Sequence, residues 1–103
     1  MITVELLIPV ADNDGQTFSP NHDDDFLQTV ATLFGGATIV PGLTTGRWID
    51  GGTVYRDQCR ILEFDVEGMI LRADDIRAVA EFAKSHYGQL AVRISYLGCS
   101  EVI

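Results

Sequence analysis

Residues 59–66 read Cys-Arg-Ile-Leu-Glu-Phe-Asp-Val, and their alternation decides the fold class. Arg60, Leu62, Phe64 and Val66 fall on one side; Cys59, Ile61, Glu63 and Asp65 fall on the other. A period of two specifies a half-buried strand, because successive side chains leave a pleated sheet on opposite faces. Residues 3–10, "TVELLIPV", repeat the pattern, with Val4, Leu6 and Ile8 opposed to Thr3, Glu5 and Leu7. Residues 90–97, "LAVRISYL", repeat it again with Val92, Ile94 and Tyr96 on one face. Strands of this kind need a cover for their apolar side, and two helical patterns supply it.

The first helix begins at Ser19 or Asn21. A Ser19 cap places Pro20 at the first helical position, where a missing N–H costs nothing; an Asn21 cap is supported by Asp24. Phe26, Leu27, Val30, Ala31, Leu33 and Phe34 form its apolar stripe, and Gly35-Gly36 stops it. The second helix spans "ADDIRAVAEFAKSHYG" (73–88), with Asp74 and Asp75 in its first turn and Lys84 and His86 in its last. Ile76, Val79, Ala80, Ala83 and Tyr87 mark its buried side. Between the first helix and residue 59, "TIVPGLTTGRWID" (38–50) is strand-like but broken at Pro41-Gly42, as suits a sheet edge or a bulge. Gly51-Gly52 then reads as a hairpin turn that brings Trp48 near Tyr55. The order is β-α-β-β-α-β. It predicts one ferredoxin-like α+β domain over residues 1–103, a four-stranded antiparallel sheet with both helices on one face.

The segments "GRW", "DGGTVYRD", "RILEFDV" and the helix ending "HYGQ" carry a resemblance. Through Gly46, Trp48, Gly51, Gly52, Arg56, Tyr87 and Gly88 the chain resembles a family of small uncharacterised bacterial proteins with a ferredoxin-like α+β fold. The resemblance covers roughly residues 4–96 and implies a fold without implying a reaction.

Composition narrows the classes of function. Fifteen acidic and seven basic residues give a formal charge of −8, which disfavours nucleic acid and anionic membrane surfaces as partners. "MITVELLIPV" has no basic leader and is too short to span a bilayer, so a cytoplasmic protein is expected. Cys59 and Cys99 have no zinc-ligand spacing and are expected as free thiols.

No nucleotide-binding glycine motif or nucleophile elbow is present. The acid-rich stretch "PNHDDDF" (20–26) reads as a helix start, because carboxylates suit the positive end of a helix. Three consecutive side chains also fan too widely around a helix to converge on one ion, and Asp12-Asn13-Asp14-Gly15 lacks the rest of a calcium loop. No metal or other cofactor is therefore expected. His22 reads as a neutral ring beside Asp23, and His86 as a solvent-facing residue at a helix C-terminus.

Arg47, Trp48, Tyr55 and Arg56 form the candidate ligand-binding cluster, since guanidinium groups beside rings suit a small anionic ligand. The uncovered sheet face should carry Glu5, Leu7, Ile61, Glu63 and Arg93, with Glu5 meeting Arg93 on one side and Glu63 on the other. That mixture suggests an interface in a homodimer or higher homo-oligomer. Lacking a clear acid, base and nucleophile, the chain is expected to be a non-catalytic small-ligand-binding or regulatory homo-oligomer. The alternative is a small cofactor-free oligomeric enzyme with a pocket between the sheet face and loops.

Overall fold

The computed structural model describes the backbone of residues 1–103 and the side chains of all but residues 69–71. The elements run β1 (Ile2–Pro9), α1 (Pro20–Phe34), β2 (Thr38–Ile39), β3 (Thr44–Asp50), β4 (Thr53–Val66), α2 (Met69–Tyr87), β5 (Arg93–Tyr96) and β6 (Cys99–Val102). They make a mixed α+β fold whose antiparallel sheet has six strands, in the order β2-β4-β1-β5-β6 with β3 also paired to β4. The four strands expected are thus corrected to six. The Pro41-Gly42 break divides the second expected strand into β2 and β3, which pair with successive parts of β4. The sixth strand arises because the chain reverses after Tyr96 and β6 pairs back along β5.

β1 lies between β4 and β5 and is where the core is densest. Leu6 faces Leu62 on one side and Ile94 on the other, and all three are fully buried. Phe26 and Val30 from α1, with Ile76, Val79, Ala80, Ala83 and Tyr87 from α2, cover this side of the sheet. The strand alternation therefore selects the covered face, and the helical stripes select what covers it. Leu33, expected in the core, is 45% exposed. It lies in the last turn of α1, where Phe34 takes the inward position and packs on Phe64 at 4.6 Å between ring centroids.

Of the two candidate caps Ser19 is the one that forms: its hydroxyl accepts from the His22 amide at 3.2 Å, with Pro20 opening α1. α2 starts a turn earlier than expected, after Gly68 with φ 62°. Asp74 and Asp75 consequently stand beyond its first turn, and the dipole argument for them lapses.

Candidate functional site

The uncovered side of the sheet carries the odd-numbered residues of β1 and β4. Glu5 sits opposite Glu63 on one neighbour and opposite Ser95 on the other. This corrects the expected Glu5–Arg93 pairing. β5 is set two residues differently along β1, so Arg93 falls on the same face as Glu5 without an ion pair between them among the described residues. Leu7 and Ile61 are direct partners across the ladder, both half-buried.

Beside this row lies an open cleft of about 350 Å³ lined by Thr3, Glu5, Arg93, Ser95, the turn residues Leu97 and Gly98, and Cys99 and Ser100 at the start of β6. Glu5 is its carboxylate and Arg93 its cation. Ser95 and Ser100 are cross-strand partners, so two hydroxyl-bearing positions adjoin the charged pair. Thr3 donates to Asp65, its cross-strand partner on β4, at 2.8 Å. Tyr96 also borders the cleft, although alternation pairs it with buried Val4 on the opposite face. Its hydroxyl donates to Glu101 at 3.2 Å, and desolvation with that carboxylate raises its pKa. The cleft thus combines one anion, one cation and hydroxyl groups, a set that complements the ammonium and carboxylate of an amino-acid head group.

The β3–β4 hairpin separates the residues proposed from sequence into two groups. Trp48 and Tyr55 are cross-strand partners and stack at 4.6 Å, and Trp48 donates to Asp57 at 2.7 Å. Arg47 and Arg56 are also cross-strand partners, but one residue away in register, so alternation puts them on the other face of the ribbon. The four residues do not line one pocket.

A buried polar network lies on the helix side. Asp23 is only 7% exposed, and it accepts from the Tyr87 hydroxyl at 2.7 Å and from Arg60 at 3.3 Å. Burial, followed by the bond to Asp23, pushes the Tyr87 phenol far above its ordinary range. His22 and His86 stack at 3.9 Å, and each ring Nε2 donates to the other residue's backbone carbonyl at 2.7 Å. His86 is thus corrected from a solvent-facing end residue to half of a clasp between α1 and α2. Carboxylate-rich helix starts ordinarily cap, so the buried role of Asp23 carried no separate signal in the sequence. A tyrosine on the inward stripe of α2 was the one hint that a polar partner was needed.

Asp12 is accounted for locally: its Oδ1 accepts from the Asp14 and Gln16 amides and holds the turn through Gly15. Among the described residues no three His, Cys, Asp or Glu side chains gather as a metal would require, and no helix is long and apolar enough to cross a membrane. Cys59 and Cys99 are free thiols, and burial raises the pKa of Cys59.

No protein-family model and no curated protein matches the sequence. The fold does match solved structures. A phage SAM lyase in complex with S-methyl-5′-thioadenosine superposes with a TM-score of 0.72 at 13% identity, covering 99% of this chain and 88% of that chain. A phage SAM lyase in the apo state gives 0.67 at 11% identity, covering 99% and 87%. This likeness counts against the expectation of a non-catalytic protein, because both of these structural neighbours are lyases. The missing acid–base–nucleophile signature had carried that expectation, and it tests only for chemistries that need such a set.

Proposed function

We propose that the protein is an enzyme acting on S-adenosylmethionine, with the cleft around Glu5 and Arg93 as its site and a ferredoxin-like core as its frame. The observation that carries this reading is the near full-length likeness to a lyase solved with S-methyl-5′-thioadenosine. The chemistry agrees with the sequence. Sulfur in S-adenosylmethionine is a sulfonium and departs as a neutral thioether, so the leaving group needs no proton from a general acid. Positioning and desolvation supply the catalysis such a bond requires.

The four-carbon fragment is completed from within the substrate. A carboxylate oxygen bonds to the carbon as sulfur takes the electron pair, which balances atoms and charge without a co-reactant. In this reading Arg93 orients the carboxylate, Glu5 holds the ammonium group, and Ser95 and Ser100 bind polar edges.

Incubating the purified protein with S-adenosylmethionine and following S-methyl-5′-thioadenosine by mass spectrometry tests the proposal. Release is expected from the wild type, with kcat/KM lowered at least about tenfold in Glu5→Gln and in Arg93→Ala, the loss expected when a positioning contact is removed. No release above a protein-free control overturns it. Unaltered kinetics in both variants move the site elsewhere on the fold.

A further inference from the structure

Two surfaces of this chain lack the partners that their chemistry asks for, and the fold holds them apart. The first is the arm formed by β3 and the early part of β4. β3 is exposed along its whole length, and so is β4 from Thr53 to Gln58. A two-stranded ribbon is marginal in water without further cover. On one face of the arm Ile49 and Val54 are cross-strand partners, 73% and 56% exposed. Arg47 and Arg56 stand beside them, directly opposite each other. Like charges in that position destabilise a ladder. Among the described residues neither arginine forms an ion pair.

The second surface is the uncovered sheet face of the body. Glu5 and Glu63 are direct partners, and again neither forms an ion pair among the described residues. Leu7 and Ile61 pair on the same face, two residues along each strand. One surface therefore presents two facing arginines beside an aliphatic pair, and the other presents two facing carboxylates beside an aliphatic pair. β4 runs unbroken for 14 residues through both, so a single chain does not fold the arm back onto its own body.

We propose that the arm of one copy lies on the uncovered sheet face of a second copy. Arg47 and Arg56 then meet Glu5 and Glu63, while Ile49 and Val54 cover Leu7 and Ile61. The contact relieves two like-charge pairs at once and removes aliphatic surface from water on both sides. It also brings the arm to the border of the Glu5–Arg93 cleft, so the partner copy supplies a wall to that cleft.

Sedimentation of the full chain over a micromolar concentration range tests the contact without reference to turnover, so its outcome is separate from that of the substrate reading. The wild type is expected to self-associate, more weakly as salt is raised. Arg47→Glu with Arg56→Glu, and separately Glu5→Lys with Glu63→Lys, should each weaken association by at least about tenfold. An equimolar mixture of the two double variants should re-associate, because each arm then complements the other protein's face. Circular dichroism checks the fold, and the arm variant alone decides should the sheet variant fail to fold. Concentration-dependent hydrogen-exchange protection of residues 44–50 in the wild type provides a second reading without mutation. A monomeric wild type, an arm variant that associates like the wild type, or a mixture of folded variants that stays dissociated overturns the proposal.

Discussion

Asp23 is gripped from two other elements, by Tyr87 of α2 through Oδ1 and by Arg60 of β4 through Oδ2. The two grips differ in worth. The Arg60 side chain is 40% exposed, so solvent screens its attraction, whereas the tyrosine bond is buried. Tyr87→Phe should therefore cost about 1–3 kcal/mol, the usual penalty for leaving one side of a buried polar group unmade. A urea titration of the two proteins measures it, and equal midpoints would show that the bond contributes nothing net. The same bond sets a pH dependence. Tyr87 holds its proton to higher pH in the folded chain than in the unfolded one, where a phenol ionises near about pH 10. The folded state thus binds more protons above that pH, and stability must fall as pH rises through it. Urea midpoints taken between about pH 8 and 11 should decline in the wild type and decline less in Tyr87→Phe. Parallel declines would assign the alkaline loss to other groups.

At the scale of elements, the two hairpin turns show why some of the fold was legible and some was not. Gly51 and Gly52 adopt φ 56° and 81°, and two adjacent glycines announce such a turn in any sequence. Leu97 and Gly98 make the equivalent reversal with φ 53° and 74°, yet a leucine rarely accepts positive φ, so β6 went unread. Leu97 also lines the cleft, which gives a reason for a strained residue to stand there. Leu97→Asn should raise stability by roughly 0.5–1 kcal/mol, because asparagine tolerates the left-handed region. Thermal and urea melts check this, and an unchanged or lower midpoint would mean that leucine packing outweighs the strain. The site was legible in the same partial way. Glu5 and Arg93 stand out in the sequence as charges on an uncovered strand face, a pattern that suits an interface between copies as well as the proposed cleft. Ser100 comes to the cleft only through the β5–β6 pairing that the turn conceals, whereas Ser95 shares the uncovered face with Arg93 by alternation. The helix pair is a similar case. His22 and His86 are 64 residues apart in sequence, and nothing local foretells that each would bond the other's carbonyl.

Over the whole molecule, stability is concentrated on one side of the sheet. The covered face holds the fully buried Val4, Leu6, Leu62 and Ile94 together with Phe26 and Val30, while the arm beyond Cys59 buries almost nothing in a single copy. Strand alternation made this division readable, since a side chain's parity fixes its face once a single register is known. Helix ends were less readable, because one residue of rotation exchanges an inward position for an outward one, as with Phe34 and Leu33. Leu6 and Leu33 allow a direct comparison. Leu6 sits between Leu62 and Ile94 in the middle strand and all three are fully buried, so Leu6→Ala should cost about 2–5 kcal/mol. Against a typical domain stability of about 5–15 kcal/mol, that is a large fraction of the total. Leu33→Ala removes a side chain that is already 45% exposed and should cost less than about 1 kcal/mol. Urea unfolding of both variants, with the same dependence on denaturant as the wild type, is the expected outcome. Similar losses in the two would place Leu33 in the core after all and move the end of α1 by a fraction of a turn.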